Sequence, residues 1–138
     1  MKPQTWRSLT WGALGVMVLQ LGCLDSIVRT LAPVNDPQVV NTPTSFRFTA
    51  TDLENVSDQI SWVWTNSAPQ AAFKHNTFIH HGYGIVMITD GVGQMVDSTL
   101  LEPDLETETR SGTAGDWTIT LMLAGARGRV DFTLTPKP

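Results

Sequence analysis

From Ser45 to the C-terminus, apolar and polar positions alternate in short runs. In SFRFTAT, Phe46 and Phe48 fall on one face, Arg47 and Thr49 on the other. QISWVWTN sets Ile60, Trp62 and Trp64 against Ser61, Val63 and Thr65. DWTITLMLAG aligns Trp117, Ile119, Leu121 and Leu123, and GRVDFTLTP aligns Val130, Phe132 and Leu134. Period two is the mark of strands with one buried face. GYGIVMITD differs: its unbroken apolar run predicts a central strand covered on both faces.

Glycine-bearing turns separate these runs. DGVG (Asp90–Gly93) divides IVMIT from QMVDSTLL, and AGARG (Ala124–Gly128) predicts a hairpin between the last two strands. No convincing amphipathic helix follows Cys23. Antiparallel strands without crossover helices predict a two-layer sandwich, with a closed barrel as the less favoured arrangement. Between Leu24 and Thr44, Pro33, Pro37 and Pro43 interrupt every period. That stretch reads as an extended, semi-rigid spacer, within which QVVN is short enough to be spacer or first edge strand.

The first residues have the layout of an export signal. Lys2 and Arg7 precede an apolar stretch from Ser8 to Gly22 that carries Gln20. A membrane-spanning helix needs about 20 predominantly apolar residues, more than this stretch supplies. It closes on LQLGC, which resembles the lipobox of bacterial lipoproteins. Leu21, Gly22 and Cys23 match that pattern, whereas Gln20 stands where the family places leucine, with Leu19 one position too early. The resemblance implies cleavage before Cys23 and a diacylglycerol on its thiol. An ordinary signal peptide, or an uncleaved anchor with an incidental cysteine, is the competing reading. Cys23 is the only cysteine, so no disulfide forms within the chain.

Charge narrows the partners. The net charge is −4, and without Lys2 and Arg7 seven basic residues face thirteen acidic ones. Such a chain lacks the basic stripe that phosphate neutralisation requires, which argues against nucleic acid.

Ser45–Thr135 resembles the small immunoglobulin-like or fibronectin-like domains of secreted bacterial proteins, on the strength of Trp62, Trp64 and the late GTAGDWTITLML…GRVDFTLTP segment. The expected fold class is therefore all-β, an antiparallel immunoglobulin-like β-sandwich preceded by a signal helix and an extended linker. The expected division is a signal peptide over 1–22, a lipidated N-terminus and proline-rich tether over 23–44, and the sandwich over 45–138.

Candidate chemistry is sparse. His75, His80 and His81 cluster in KHNTFIHHGYG, but adjacent residues of a strand point to opposite faces, so a shared metal ion is disfavoured. They are expected to be solvated, on a loop entering a strand. Glu102, Asp104, Glu106 and Glu108 alternate in EPDLETETR without a calcium-loop pattern, and read as charges that protect a sheet edge. No nucleophile elbow or dinucleotide fingerprint is present, so no catalytic residue, cofactor or metal is assigned. Trp62, Trp64 and Trp117 share faces with aliphatic neighbours and are assigned to the core. Phe73, Phe78 and Tyr83 fit the pattern less well and form the candidate ligand surface.

The resulting expectation is a non-enzymatic binding or structural module at the bacterial cell envelope, held at the membrane through a lipid anchor, with envelope proteins or glycans as partners. The alternatives are a secreted or periplasmic soluble protein, a carbohydrate-active accessory domain or small hydrolase, and a subunit that assembles by strand exchange.

Overall fold

The computed structural model describes residues 27–138. The proposed signal segment and Cys23 lie outside them. The described chain is almost entirely antiparallel sheet, with one 3-10 turn over Pro33–Asn35. Its strands are β1 (Gln38–Thr42), β2 (Ser45–Asn66), β3 (Gln70–His75), β4 (Phe78–Thr89), β5 (Met95–Leu100), β6 (Leu105–Glu108) and β7 (Gly115–Lys137).

Two long strands, β2 and β7, are the frame. They pair along their whole length, from Phe46↔Leu134 to Asn66↔Gly115. The far edge of β7 is shared: β3 takes its C-terminal part and β4 its N-terminal part. β6 extends the sheet beyond β3, β5 beyond β4, and β1 lies on the first residues of β2.

The expected hairpin at AGARG is not formed, and SFRFTAT and QISWVWTN are likewise not separate strands. Each long strand bends and continues. The bend in β2 carries three register shifts between Ala50 and Asp58, with Asp52 and Asn55 at positive φ. Opposite them, Gly125 and Gly128 in β7 and Gly82 in β4 also have positive φ. Extra residues in a ladder sharpen its twist and turn the strand without reversing it, so the glycines of AGARG serve bulges here. A Cβ on Gly128 would stand 2.1 Å from the Phe78 carbonyl oxygen, so glycine is what lets β4 approach β7.

The bends fold the sheet over itself, and its inner surfaces meet in an aromatic core. Phe46, Phe48, Phe73, Trp64, Trp117 and Phe132 are fully buried, and Trp62 packs against them partly buried. Both buried indoles satisfy their N–H groups: Trp64 donates to the Thr42 carbonyl and Trp117 to the Thr113 carbonyl, each at 2.8 Å. The GYGIVMITD segment is internal to the sheet, but only one face is sealed. Gly84, Val86 and Ile88 are buried while Ile85 and Met87 are half-exposed.

The stretch before Ser45 is not a free spacer in its described part. Gln38–Thr42 pairs with β2 as an edge strand, the second of the two readings open for QVVN. Upstream, Arg29 forms a parallel bridge with Val56. Its N–H donates to the Asn55 carbonyl, and its own carbonyl accepts from the Ser57 N–H. Asn35, buried, donates to the Asp52 carbonyl at 2.9 Å and so ties the 3-10 turn to the bend. Prolines exclude helix from this stretch, yet they leave its other backbone groups free to pair.

Candidate functional site

The bends create a groove. Thr51–Glu54 of β2, Phe78 and His80 of β4, and Arg127–Arg129 of β7 line this groove of about 550 Å³. It exists because β2 and β7 leave regular register at the same level, where positive φ at Asp52 and Gly128 turns both backbones away from a flat ladder. Aspartate tolerates that conformation better than most residues, and glycine adopts it without penalty.

The β4 part of the lining is aromatic. Phe78 is exposed, and its ring lies 6.0 Å from the exposed His80 imidazole, tilted by 33°. Around this pair the lining carries charge of both signs, with Arg129 the cross-strand partner of Phe78. Arg129 is oriented by Asn76, donating to its carbonyl oxygen at 3.0 Å. Glu54 accepts from Arg29 at 3.0 Å. Asp52 and Glu54 form a ridge, beyond which a second hollow of about 400 Å³ is lined by Arg29, Val34 and Asn35 among others. The groove thus offers an apolar ring, an imidazole, guanidinium donors and carboxylate acceptors, a set suited to holding a ligand by packing and hydrogen bonds.

The residues singled out from sequence separate. Phe73 does not belong to a ligand surface: it is fully buried, edge-on to Phe132 at 5.9 Å. Phe78 and Tyr83 are exposed, and Phe78 alone lines the groove. His75 departs from the solvated-loop expectation. It ends β3, is fully buried and stacks on Phe73 at 4.8 Å. The Glu102 N–H donates to its Nδ1 at 2.9 Å, which places the neutral ring's proton on Nε2. Burial pushes this imidazole below its ordinary value, against the opposing pull of Glu102 and Asp97. His80 and His81 are exposed on β4. In the acidic run, Asp104 sits in the turn before β6, while Glu106 and Glu108 lie exposed on that edge strand, Glu108 paired with Lys137. Among the described residues no three His, Cys, Asp or Glu side chains come together as a metal site.

Sequence reasoning missed Asp52, Glu54, Arg127 and Arg129. The available signal was TDLEN inside an alternating run, where Asp52 and Asn55 mark a place that tolerates positive φ.

No family model and no curated protein matches the chain. Among solved structures, the chain is similar to one described as accessory secretory protein 1, 2 and 3 in Streptococcus pneumoniae. The identity is 12% and the TM-score 0.37, over 99% of this chain and 100% of that one. It is also similar to FeII HppE in complex with substrate, at 9% identity and TM-score 0.34, over 80% of this chain and 61% of that one. At these scores neither likeness carries an argument about fold or activity.

Proposed function

We propose that the protein is a non-catalytic module of the bacterial cell envelope, anchored through a lipid on Cys23, that binds a ligand in the groove between the bends of β2 and β7. The folded-over sheet reads as a small immunoglobulin-like sandwich whose two layers share their long strands. The observation that carries the binding role is the exposed Phe78–His80 pair, set beside its cross-strand neighbour Arg129 in a groove of about 550 Å³. An apolar ring in a concavity that also offers oriented donors is the arrangement by which ligand sites combine packing with directed hydrogen bonds. Envelope glycans and proteins are the candidate partners, since both present apolar faces edged by hydroxyl or amide groups.

Two measurements test this. Intact-mass analysis of the membrane fraction should give a chain beginning at Cys23 with acyl mass; a soluble chain starting later, without acyl mass, overturns the anchor. Binding of the full chain to a panel of envelope glycans and envelope proteins should weaken by roughly tenfold in Phe78→Ala and His80→Ala. Both side chains are exposed, so the fold should survive their loss. Bound partners that ignore both substitutions overturn the groove as the site.

A second reading, assembly by strand exchange, draws on β1. All five of its residues are exposed, Val39 and Val40 among them, and it holds an edge of the sheet. Concentration-dependent mass measurements should then show dimers that vanish when Gln38–Thr42 is deleted, and a monomer at all concentrations removes the idea.

A further inference from the structure

The stitched segment fixes how the domain would stand on a membrane. Asn55 holds the Ile27 carbonyl through its side-chain amide at 3.0 Å, and Arg29 pairs with Asn55 and Ser57 on both sides. All these contacts fall on the bend of β2. Four peptide links separate Ile27 from Cys23. Full extension limits that reach to about 14 Å. A cysteine carrying diacylglycerol sits at headgroup level, because its acyl chains are in the hydrocarbon. The bend end of the sheet would therefore be held within that reach of the bilayer.

The surface of this end has the matching character. Ile27, Val28, Val34, Phe78 and Tyr83 make up five of the eleven exposed large apolar residues among the described ones. Contacts place them together: Ile27 is bonded to Asn55, Val34 shares its hollow with Asp52 and Glu54, and Phe78 shares the groove with the same two carboxylates. Tyr83 pairs with Ala124, next to the Gly125 bulge. Arg29, Arg127 and Arg129 lie among them. Aromatic and aliphatic tips set between arginines are what the headgroup region favours. Of the acidic groups here, Glu54 pairs with Arg29 at the surface, which leaves exposed Asp52 beside Arg127 and Arg129. Glu108 on β6, by contrast, pairs with Ala72 of β3, whose other partner is Thr135, far along β7 from the bend.

We infer that the bend end, from Ile27 and Val34 across to Phe78 and Tyr83, is a bilayer-facing surface whose partner is the lipid headgroup layer. This rests on the lipid-anchor reading above. It makes the groove a membrane-proximal site, open to ligands that lie at or in the leaflet.

Single cysteines test it in the full chain with its own leader. Val28→Cys and Tyr83→Cys mark the bend end; Val92→Cys marks the β4–β5 turn, seven or more strand residues past the Gly82 bulge. The purified proteins, in vesicles of phosphatidylethanolamine and phosphatidylglycerol, receive a thiol-reactive fluorophore and are read by headgroup-attached nitroxide quenchers. Wild type should take no label, because Cys23 is blocked. Labels at positions 28 and 83 should be quenched several-fold more than the label at 92. A wild-type chain that labels at Cys23 overturns the anchor and this inference with it. A blocked Cys23 with equal quenching at all three positions overturns the orientation alone.

Discussion

Phe48 and Trp62 belong to the same strand, fourteen residues apart in sequence, yet their ring centroids are 4.9 Å apart. An uninterrupted strand would separate them by about 46 Å at the usual rise per residue. The difference is the work of the bend between Ala50 and Asp58, which brings the two halves of β2 face to face. Phe46 meets the same indole at 5.4 Å. One strand therefore supplies both sides of this part of the core, and the device that closes the core also opens the groove on its outer side.

Trp62 should accordingly matter more than its partial exposure suggests. Trp62→Ala is expected to cost about 3 kcal/mol in urea-induced unfolding, within the range for large aromatic truncations. Val63→Ala, one residue on and facing solvent, should stay within about 0.5 kcal/mol. Equal losses at both positions would mean the two halves of β2 are not held through this ring.

The bend makes its own demand at Gly128. A Cβ there would meet the Phe78 carbonyl oxygen at 2.1 Å, and φ is +133°. Gly128→Ala should force β4 away from β7 and cost about 3 kcal/mol, a combined clash and backbone-strain effect. Gly93 is the control: its φ is +84° but nothing lies within 4 Å of an added Cβ. Gly93→Ala should cost about 1 kcal/mol. The same substitution at Gly128 should also alter the groove, so loss of ligand binding is expected to accompany it.

These residues show where sequence reading works and where it stops. The inward positions Phe46, Phe48, Trp64, Trp117, Ile119 and Phe132 are all buried, because strand alternation is a local property written into neighbouring side chains. Whether AGARG reverses the chain or merely bends it is not local. Glycines at positive φ serve either outcome, and the choice is made by partners distant in sequence: Gly82 and Phe78 on β4, Asn55 on β2. The groove depends on that choice, so the local pattern points to its carboxylates only through the turn-tolerant TDLEN and to its arginines not at all. His75 was more legible than its loop-like context implied, since Ala71, Phe73 and His75 alternate on one face. The edge role of β1 rested on QVVN alone, with three prolines around it arguing for a spacer.

The buried His75 should make the fold sensitive to mild acid. Its folded value lies below the ordinary 6.5, chiefly through burial. The unfolded chain then binds the proton first as pH falls, so stability is intact above about 6.5 and declines below it. The slope from this single group cannot exceed about 1.4 kcal/mol per pH unit. His75→Gln retains an acceptor for the Glu102 N–H but does not titrate. Urea midpoints of the two proteins should run parallel above pH 7 and diverge between pH 6.5 and 5, with the wild type falling faster. Parallel curves throughout would mean that His75 charges in the folded state without penalty.

Asp90 should govern a second, more acidic step. Its carboxylate accepts from the Thr113 N–H at 2.7 Å, the Gln94 N–H at 2.8 Å and the Val92 N–H at 3.1 Å. It thereby clips the β4–β5 turn to the segment entering β7. These donors, Thr113 foremost, hold the carboxyl below its ordinary 3.8. Here too the unfolded state takes the proton first as pH falls. The contribution is present above the unfolded value and is lost as pH drops through the folded one. Asp90→Asn removes the charge and turns an amide toward N–H donors, so its Tm should lie several degrees below wild type at pH 7. That gap should persist through the His75 window and close only below about pH 3.8, where wild-type Asp90 becomes protonated. A gap that closes near pH 6 instead would assign the clip to a different group, and a gap absent at pH 7 would show that the turn holds without it.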